Sequence, residues 1–172
     1  MREQTGDLFD YIDKGSIIIP VNIGWGRHKE NIMGRGVALR AKTIWPNLPL
    51  MVGVEQRAIY DTGVMPGVTT HMMFRPDCLI YAFPTKPYGP RANRSWMNSS
   101  NLDLVKTSAL ELKSYIDLRD KRLGRDLAKS RGTIGGSVYL PRVGCGNGGL
   151  EWSDVRTILK PILDDRFVVV NL

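Results

Sequence analysis

Four glycines fall among the six residues Gly144-Cys145-Gly146-Asn147-Gly148-Gly149. The loop follows the β-branched and aromatic run Ser137-Val138-Tyr139-Leu140. It precedes a helical pattern in which Val155, Ile158, Leu159, Ile162 and Leu163 recur at spacings of three and four. Glycine has no Cβ to collide with and takes positive φ freely. A glycine loop feeding a helix start gathers free N–H groups beside the positive end of the helix dipole. That suits an anion, with phosphate or pyrophosphate as the natural ligand. A plain tight turn accounts for one or two glycines. Four are more than a turn needs, because each costs backbone entropy, so phosphate binding is the preferred reading.

Lys86 follows Leu79-Ile80-Tyr81-Ala82-Phe83-Pro84-Thr85, at a strand end. A lysine there can meet phosphate as a point charge, or act as a nucleophile if desolvation lowers its pKa. Charge and position alone favour a solvated surface lysine. Asn22 closes the apolar run Ser16 to Val21, and its amide offers two donors and an acceptor suited to sugar hydroxyls or a backbone clamp. Trp25 and Trp96, in the loops beside these residues, either stack on a base or sugar or anchor their loops by burial. Cys145 lies among N–H groups that could lower a thiol pKa, but no histidine stands at a spacing to activate it, and it reads as a small packing residue. His28 and His71 are the only histidines. Neither is at ligand spacing to a cysteine, so no metal is expected. His28 reads as solvated and His71 as packed within a strand.

Gly144-x-Gly146-x-x-Gly149 matches the dinucleotide fingerprint by letter and fails by context. That motif opens a first βαβ unit and needs an acid about 20 residues further on, at the end of a next strand. Here the next strand, Phe167 to Val170, runs into Asn171-Leu172.

The elements that must position these residues alternate along the chain. Met1 to Gln4 reads as an edge strand or an irregular start, and Asp7 as the cap of a short helical run, Leu8 to Ile12. Ser16 to Val21 reads as a strand buried on both faces, with Pro20 near its end. Asn22 to Met33 is a polar loop of functional length. Gly34-Arg35-Gly36 opens a helix carrying Val37, Ala38, Ala41, Ile44 and Trp45, and a second helix covers Leu48 to Tyr60. Val68 to Phe74 and Leu79 to Phe83 read as strands around an Arg75-Pro76-Asp77 turn. Pro84 to Ser100 reads as a long loop. Asn101 or Ser100 then caps a helix with Leu104, Val105, Ala109, Leu112 and Ile116 on one face, broken or capped at Gly124. Such alternation predicts an α/β sandwich around a largely parallel sheet with some antiparallel pairing. The three loops leave strand carboxyl ends, where such sheets bind ligands.

The chain has 172 residues, 42% hydrophobic and 24% charged, which is ordinary for one globular domain over 1–172. No apolar run is long enough to span a bilayer. The first residues, Met1-Arg2-Glu3-Gln4-Thr5-Gly6-Asp7, hold no signal-peptide stretch, so a cytoplasmic location and no membrane partner are the default expectations. Cys78 and Cys145 suggest no disulfide framework. The net charge of +7 favours phosphorylated or polyanionic partners. Arg119 to Arg131 carries Arg119, Lys121, Arg122, Arg125, Lys129 and Arg131 against Asp120 and Asp126. It reads first as a solvated helix face and, as the sharper alternative, as a nucleic-acid backbone contact. A monomer is expected.

These residues resemble the macrodomain family, the ADP-ribose-binding three-layer α/β/α module with a mixed, mostly parallel central sheet. The resemblance runs over nearly the whole chain. Gly6-Asp7-Leu8-Phe9 resembles the opening motif. Val21-Asn22 with Ile32-Met33-Gly34-Arg35-Gly36-Val37-Ala38-Leu39 resembles the loop around the distal ribose. Phe83-Pro84-Thr85-Lys86 and Leu140-Pro141-Arg142-Val143-Gly144-Cys145-Gly146-Asn147-Gly148-Gly149-Leu150-Glu151-Trp152 resemble the branch of terminal ADP-ribose protein glycohydrolases and DNA ADP-ribosyl glycohydrolase antitoxins. Gly148 stands where the protein-directed enzymes carry an Asp and where the DNA-directed ones have glycine.

The resemblance implies that Asp7 meets the adenine and that Leu8 belongs to the same ADP-ribose site. Asn22, Met33, Gly34, Gly36 and Val37 would surround the distal ribose. Thr85 and Val143, Gly144, Cys145, Gly146, Asn147, Gly148, Gly149 and Leu150 would complete the ADP-ribose site. Lys86, with Asn22, falls on the catalytic position. The implied reaction removes ADP-ribose from a nucleobase or a protein side chain by cleavage at C1″, with no metal or cofactor. Dephosphorylation of ADP-ribose 1″-phosphate and non-catalytic reading of ADP-ribose are the alternatives.

Overall fold

The computed structural model describes residues 1–72, 79–126 and 136–171. Its strands are β1 (Arg2–Thr5), β2 (Gly15–Asn22), β3 (Thr69–Met72), β4 (Leu79–Lys86), β5 (Ser137–Leu140) and β6 (Phe167–Asn171). Its α-helices are α1 (Gly36–Ile44), α2 (Leu48–Tyr60), α3 (Leu102–Asp126) and α4 (Trp152–Leu159). The strands form one sheet in the order β1-β6-β5-β2-β4-β3, with β3 antiparallel to β4 and the other pairs parallel.

Alternation along each strand builds two cores. Ile17, Ile19 and Val21 of β2, Ile80 and Ala82 of β4, and Val168 and Val170 of β6 pack under Ala41 of α1 and Leu48 and Val52 of α2. Ile18, Tyr81, Phe83, Phe167 and Val169 face the other way, against Val105, Ala109, Leu112 and Ile116 of α3 and Val155 and Leu159 of α4. Successive side chains of a strand point to opposite faces, so a sheet apolar on both faces needs a helical layer on each side. The result is a three-layer α/β/α sandwich with a mixed sheet.

The chain passes from β2 through α1, α2 and β3 to β4 on one side, then crosses by α3 to β5 on the other. The carboxyl end of β2 therefore sits between the loops that leave β4 and β5. In open α/β sheets, that reversal of strand order opens the ligand crevice.

Several boundaries differ from the sequence expectation. β4 runs on through Pro84 and Thr85 to Lys86. Proline is tolerated because β3 pairs only with residues 79–82, so Pro84 lies beyond the ladder on that side. Residues 92–97 of the expected loop form a 3-10 turn, Ala92–Met97. Ile44 is exposed on α1, and Ala41 is the buried residue of that helix, with Trp45 buried just past its end. α3 continues through Gly124 to Asp126. α4 ends at Leu159, so Ile162 and Leu163 follow the helix instead of continuing it. Asn101, not Ser100, caps α3, its Oδ1 accepting from the Leu104 amide at 2.9 Å. The Arg75-Pro76-Asp77 turn, Cys78, Lys129 and Arg131 lie outside the described residues. Among the described residues no helix is long and apolar enough to cross a membrane.

Candidate functional site

A cavity of about 710 Å³ opens at the carboxyl ends of β2, β4 and β5. β2 contributes Pro20, Val21 and Asn22, and β4 contributes Thr85 and Lys86. Residues Ile32 and Gly34 to Ala38 bring the start of α1 to one wall. Trp96, Met97 and Ser100 form another, and Pro141, Arg142 and Gly144 to Gly148 close the third.

Lys86 ties two of these walls together. Its Nζ donates to the carbonyls of Trp96 and Asn147, both at 3.1 Å. Two of its valences are thus directed by backbone. Desolvation first, and the charge of Arg35 second, hold its pKa below the ordinary lysine value. Asn22 is 6% exposed; its Nδ2 donates to the Ile32 carbonyl at 2.9 Å, and its Oδ1 has no partner. Ser100, 8% exposed, likewise lines the cavity with an unpartnered hydroxyl. A buried polar atom without a partner costs stability, and both residues line the cavity, which makes them candidates for ligand hydrogen bonds.

The glycine loop partly satisfies itself. The amides of Cys145, Gly148, Gly149 and Leu150 donate to Arg142, Cys145, Gly146 and Gly144 carbonyls. The amides of Gly144, Gly146 and Asn147 have no partner among the described hydrogen bonds. The loop is sharp enough to present them because Gly144, Gly146 and Gly149 take φ of 77°, 60° and 80°. α4 does not supply the anion end expected from the sequence. It starts at Trp152 behind an exposed Glu151, and neither residue lines the cavity. Arg35, Lys86 and Arg142 line it, and among its described lining residues there is no carboxylate.

Eleven of the residues expected in the ADP-ribose site meet in this cavity: Asn22, Gly34, Gly36, Val37, Thr85, Lys86, Gly144, Cys145, Gly146, Asn147 and Gly148. Asp7, Leu8, Met33, Val143, Gly149 and Leu150 do not line it. Asp7 caps the 3-10 turn Leu8–Tyr11, accepting from the Phe9 amide at 2.9 Å, and pairs with Arg40 at 2.5 Å. The capping bond first and Arg40 second hold its carboxyl low. Leu8, Met33 and Val143 are buried core residues. Burial pushes the Cys145 thiol up, against the pull of Arg142. Trp25 anchors its loop, 7% exposed and edge-on to Tyr60. Trp96 is 43% exposed at the cavity. His28 is exposed, and His71 is buried on β3 beside the Thr69 hydroxyl at 3.0 Å.

Sequence reasoning missed the frame that holds Asn22. Gln56 of α2 donates to the Asn22 carbonyl at 3.0 Å and accepts from the Gly24 amide at 3.0 Å; Asn31 donates to the Asn22 and Gly24 carbonyls at 2.9 and 2.8 Å. A polar residue one turn after Val52 on the buried stripe of α2 was the available signal. The described start of the basic segment, Arg119 to Arg122, does not line the cavity. Arg119 bonds Ser16 at the start of β2, roughly 27 Å along α3 from Asn101.

No family model matches the sequence. A curated protein described as a DNA ADP-ribosyl glycohydrolase, from Thermus aquaticus, is 27% identical over 135 residues. The match covers 77% of this chain and 31% of that protein, so the chain spans about a third of the relative's length. Among solved structures, the macrodomain of Mycobacterium tuberculosis DarG aligns with a TM-score of 0.62 at 23% identity, over 99% of this chain and 97% of that one. The macrodomain of Thermus aquaticus DarG aligns at 0.64 and 22% identity, over the same shares. Thermosipho africanus DarTG in complex with ADP-ribose aligns at 0.65 and 20% identity, over 99% of this chain and 42% of that one. With its six-stranded sheet, two helical layers and cleft at the β2, β4 and β5 ends, this chain has the macrodomain fold.

Proposed function

We propose that this chain binds ADP-ribose in the cavity and hydrolyses the bond joining it to an acceptor at C1″ of the distal ribose. The observation that carries this reading is Lys86, fixed between the Trp96 and Asn147 carbonyls in a cavity that combines three cations with free loop amides. A diphosphate matches the Gly144, Gly146 and Asn147 amides, with Arg35 and Arg142 balancing its charge. The unpartnered Asn22 Oδ1 and Ser100 hydroxyl suit sugar hydroxyls. The adenine end would run along α1 past Val37 toward Asp7, where Arg40 already lies over the Phe9 ring at 4.7 Å.

The chemistry follows from the lysine. With two carbonyls each accepting one N–H, a neutral amine keeps its lone pair for the ligand, and an ammonium keeps one N–H. Desolvation and Arg35 favour the neutral form. Attack of Nζ on C1″ forms a carbon–nitrogen bond as the bond to the acceptor breaks, and the acceptor leaves with the electron pair and a proton. Water then cleaves the Nζ–C1″ bond and returns the free amine. The homology to a curated glycohydrolase supports this reaction class.

Release of ADP-ribose from ADP-ribosylated oligonucleotide and peptide, with and without Lys86→Ala, tests the proposal. Wild type should release ADP-ribose and Lys86→Ala should bind it without turnover. ADP-ribose binding with no release by wild type would leave a reader, and release of phosphate from ADP-ribose 1″-phosphate would make the site a phosphatase.

A further inference from the structure

Resting on the hydrolase reading above, we propose that the 3-10 turn Ala92–Met97 is the acceptor-side subsite and that Trp96 stacks on a nucleobase of an ADP-ribosylated single strand. Side chains three apart eclipse in a 3-10 helix, so this turn has three faces. Ala92 and Ser95 face inward; Ser95 is fully buried and its hydroxyl accepts from the Gly89 amide at 2.9 Å. Asn93 and Trp96 share the second face, where the indole N–H donates to the Asn93 carbonyl at 3.1 Å. Arg94 and Met97 share the third.

Trp96 and Met97 are 43% and 64% exposed, and both line the cavity. A large apolar pair left open at a cavity mouth marks a binding surface more than a packing defect. The turn is rigid. Lys86 Nζ holds the Trp96 carbonyl, and Asn98 Nδ2 donates to the Pro87 carbonyl at 3.0 Å. The same Lys86 contact joins this turn to the side chain proposed to attack C1″.

Charge complementarity selects the occupant. Arg91 and Arg94 sit on the same turn, both exposed and in no salt bridge among the described residues. An exposed indole on a turn that also carries two exposed guanidiniums suits a base with its phosphates. An acidic peptide would engage the arginines but leave the indole face without a flat partner.

The experiment uses a short unmodified single-stranded oligonucleotide at low salt, titrated into wild type, Trp96→Ala, Trp96→Phe and Arg94→Ala, with free ADP-ribose titrated in parallel. Trp96→Ala should weaken oligonucleotide binding about five- to a hundredfold. That loss should exceed any loss on ADP-ribose, and Trp96→Phe should recover most of it. Arg94→Ala should reduce the salt slope by about 0.7. Equal losses on both ligands, or no loss on the oligonucleotide, would overturn the platform. So would a KM rise on an ADP-ribosylated peptide as large as on an ADP-ribosylated oligonucleotide. Trp96-dependent oligonucleotide binding by a wild type that ignores ADP-ribose would overturn the hydrolase reading and keep the stacking surface.

Discussion

Ser100 and Gly148 share one space at the cavity wall. The Ser100 amide donates to the Gly148 carbonyl at 2.8 Å, and a Cβ on Gly148 would overlap the Ser100 hydroxyl and lie 3.1 Å from its Cβ. A side chain at 148, acidic or not, has no room while Ser100 is present. Gly148→Ala should therefore destabilise the fold by about 1–3 kcal/mol, and Ser100→Gly in the same chain should restore most of it. Denaturant midpoints of the single and double variants check the pairing, and additive losses would contradict it.

The lysine's environment predicts a pH profile. If neutral Lys86 attacks, turnover rises with pH through the lowered lysine pKa, so the ascending limb lies below the 10.5 of an ordinary lysine. Removing the Arg35 charge raises that pKa, and Arg35→Ala should move the limb to higher pH. The kcat profile on the ADP-ribosylated oligonucleotide is the readout. A limb that stays put removes Arg35 from the tuning of Lys86.

His71 makes the fold acid-sensitive. Burial pushes its pKa from 6.5 down to about 4. The unfolded chain therefore takes up a proton at higher pH than the folded one. Stability is full above 6.5 and falls as the pH drops from 6.5 toward 4. The gap is worth up to about 3 kcal/mol. Glu55, 3.6 Å away with its own carboxyl pushed up by burial, offsets part of that once His71 is charged. Denaturant midpoints on either side of this window should move more in wild type than in His71→Gln, and equal movement would contradict the assignment.

The buried amides beneath the β2 loop predict a positioning effect. Gln56→Ala leaves the Gly24 amide without its acceptor and takes one donor from the Asn22 carbonyl. The expected cost is about 1–3 kcal/mol. Hydrogen exchange should quicken at Gly24 and Asn31, while the amides of α3 keep their protection. Exchange unchanged at Gly24 would show that Gln56 does not hold this loop.

The sandwich was legible because β2 and β6 are apolar on both faces and α2 announces its ends with Asn47-Leu48-Pro49 and Tyr60. Lys86 and the glycine loop were legible because strand ends and clustered glycines are local features. Local sequence offers Ser100 only as an alternative to Asn101 for the helix cap and gives Gln56 no role. Their roles come from a glycine and a loop that fold against them from 48 and 32 residues away. Pro84 hid the last turn of β4, since its tolerance depends on where β3 stops pairing. The sequence reading adds the dipole of the following helix to the glycine-loop anion site, whereas the loop closes on itself before α4 starts at Trp152.

Calorimetric titration of ADP-ribose, followed by amide resonances, tests the central claim most directly. Saturable binding with the largest shifts at Gly144, Gly146 and Asn147 is the expected result. Absence of heat, with those three resonances unmoved at ligand excess, would contradict it.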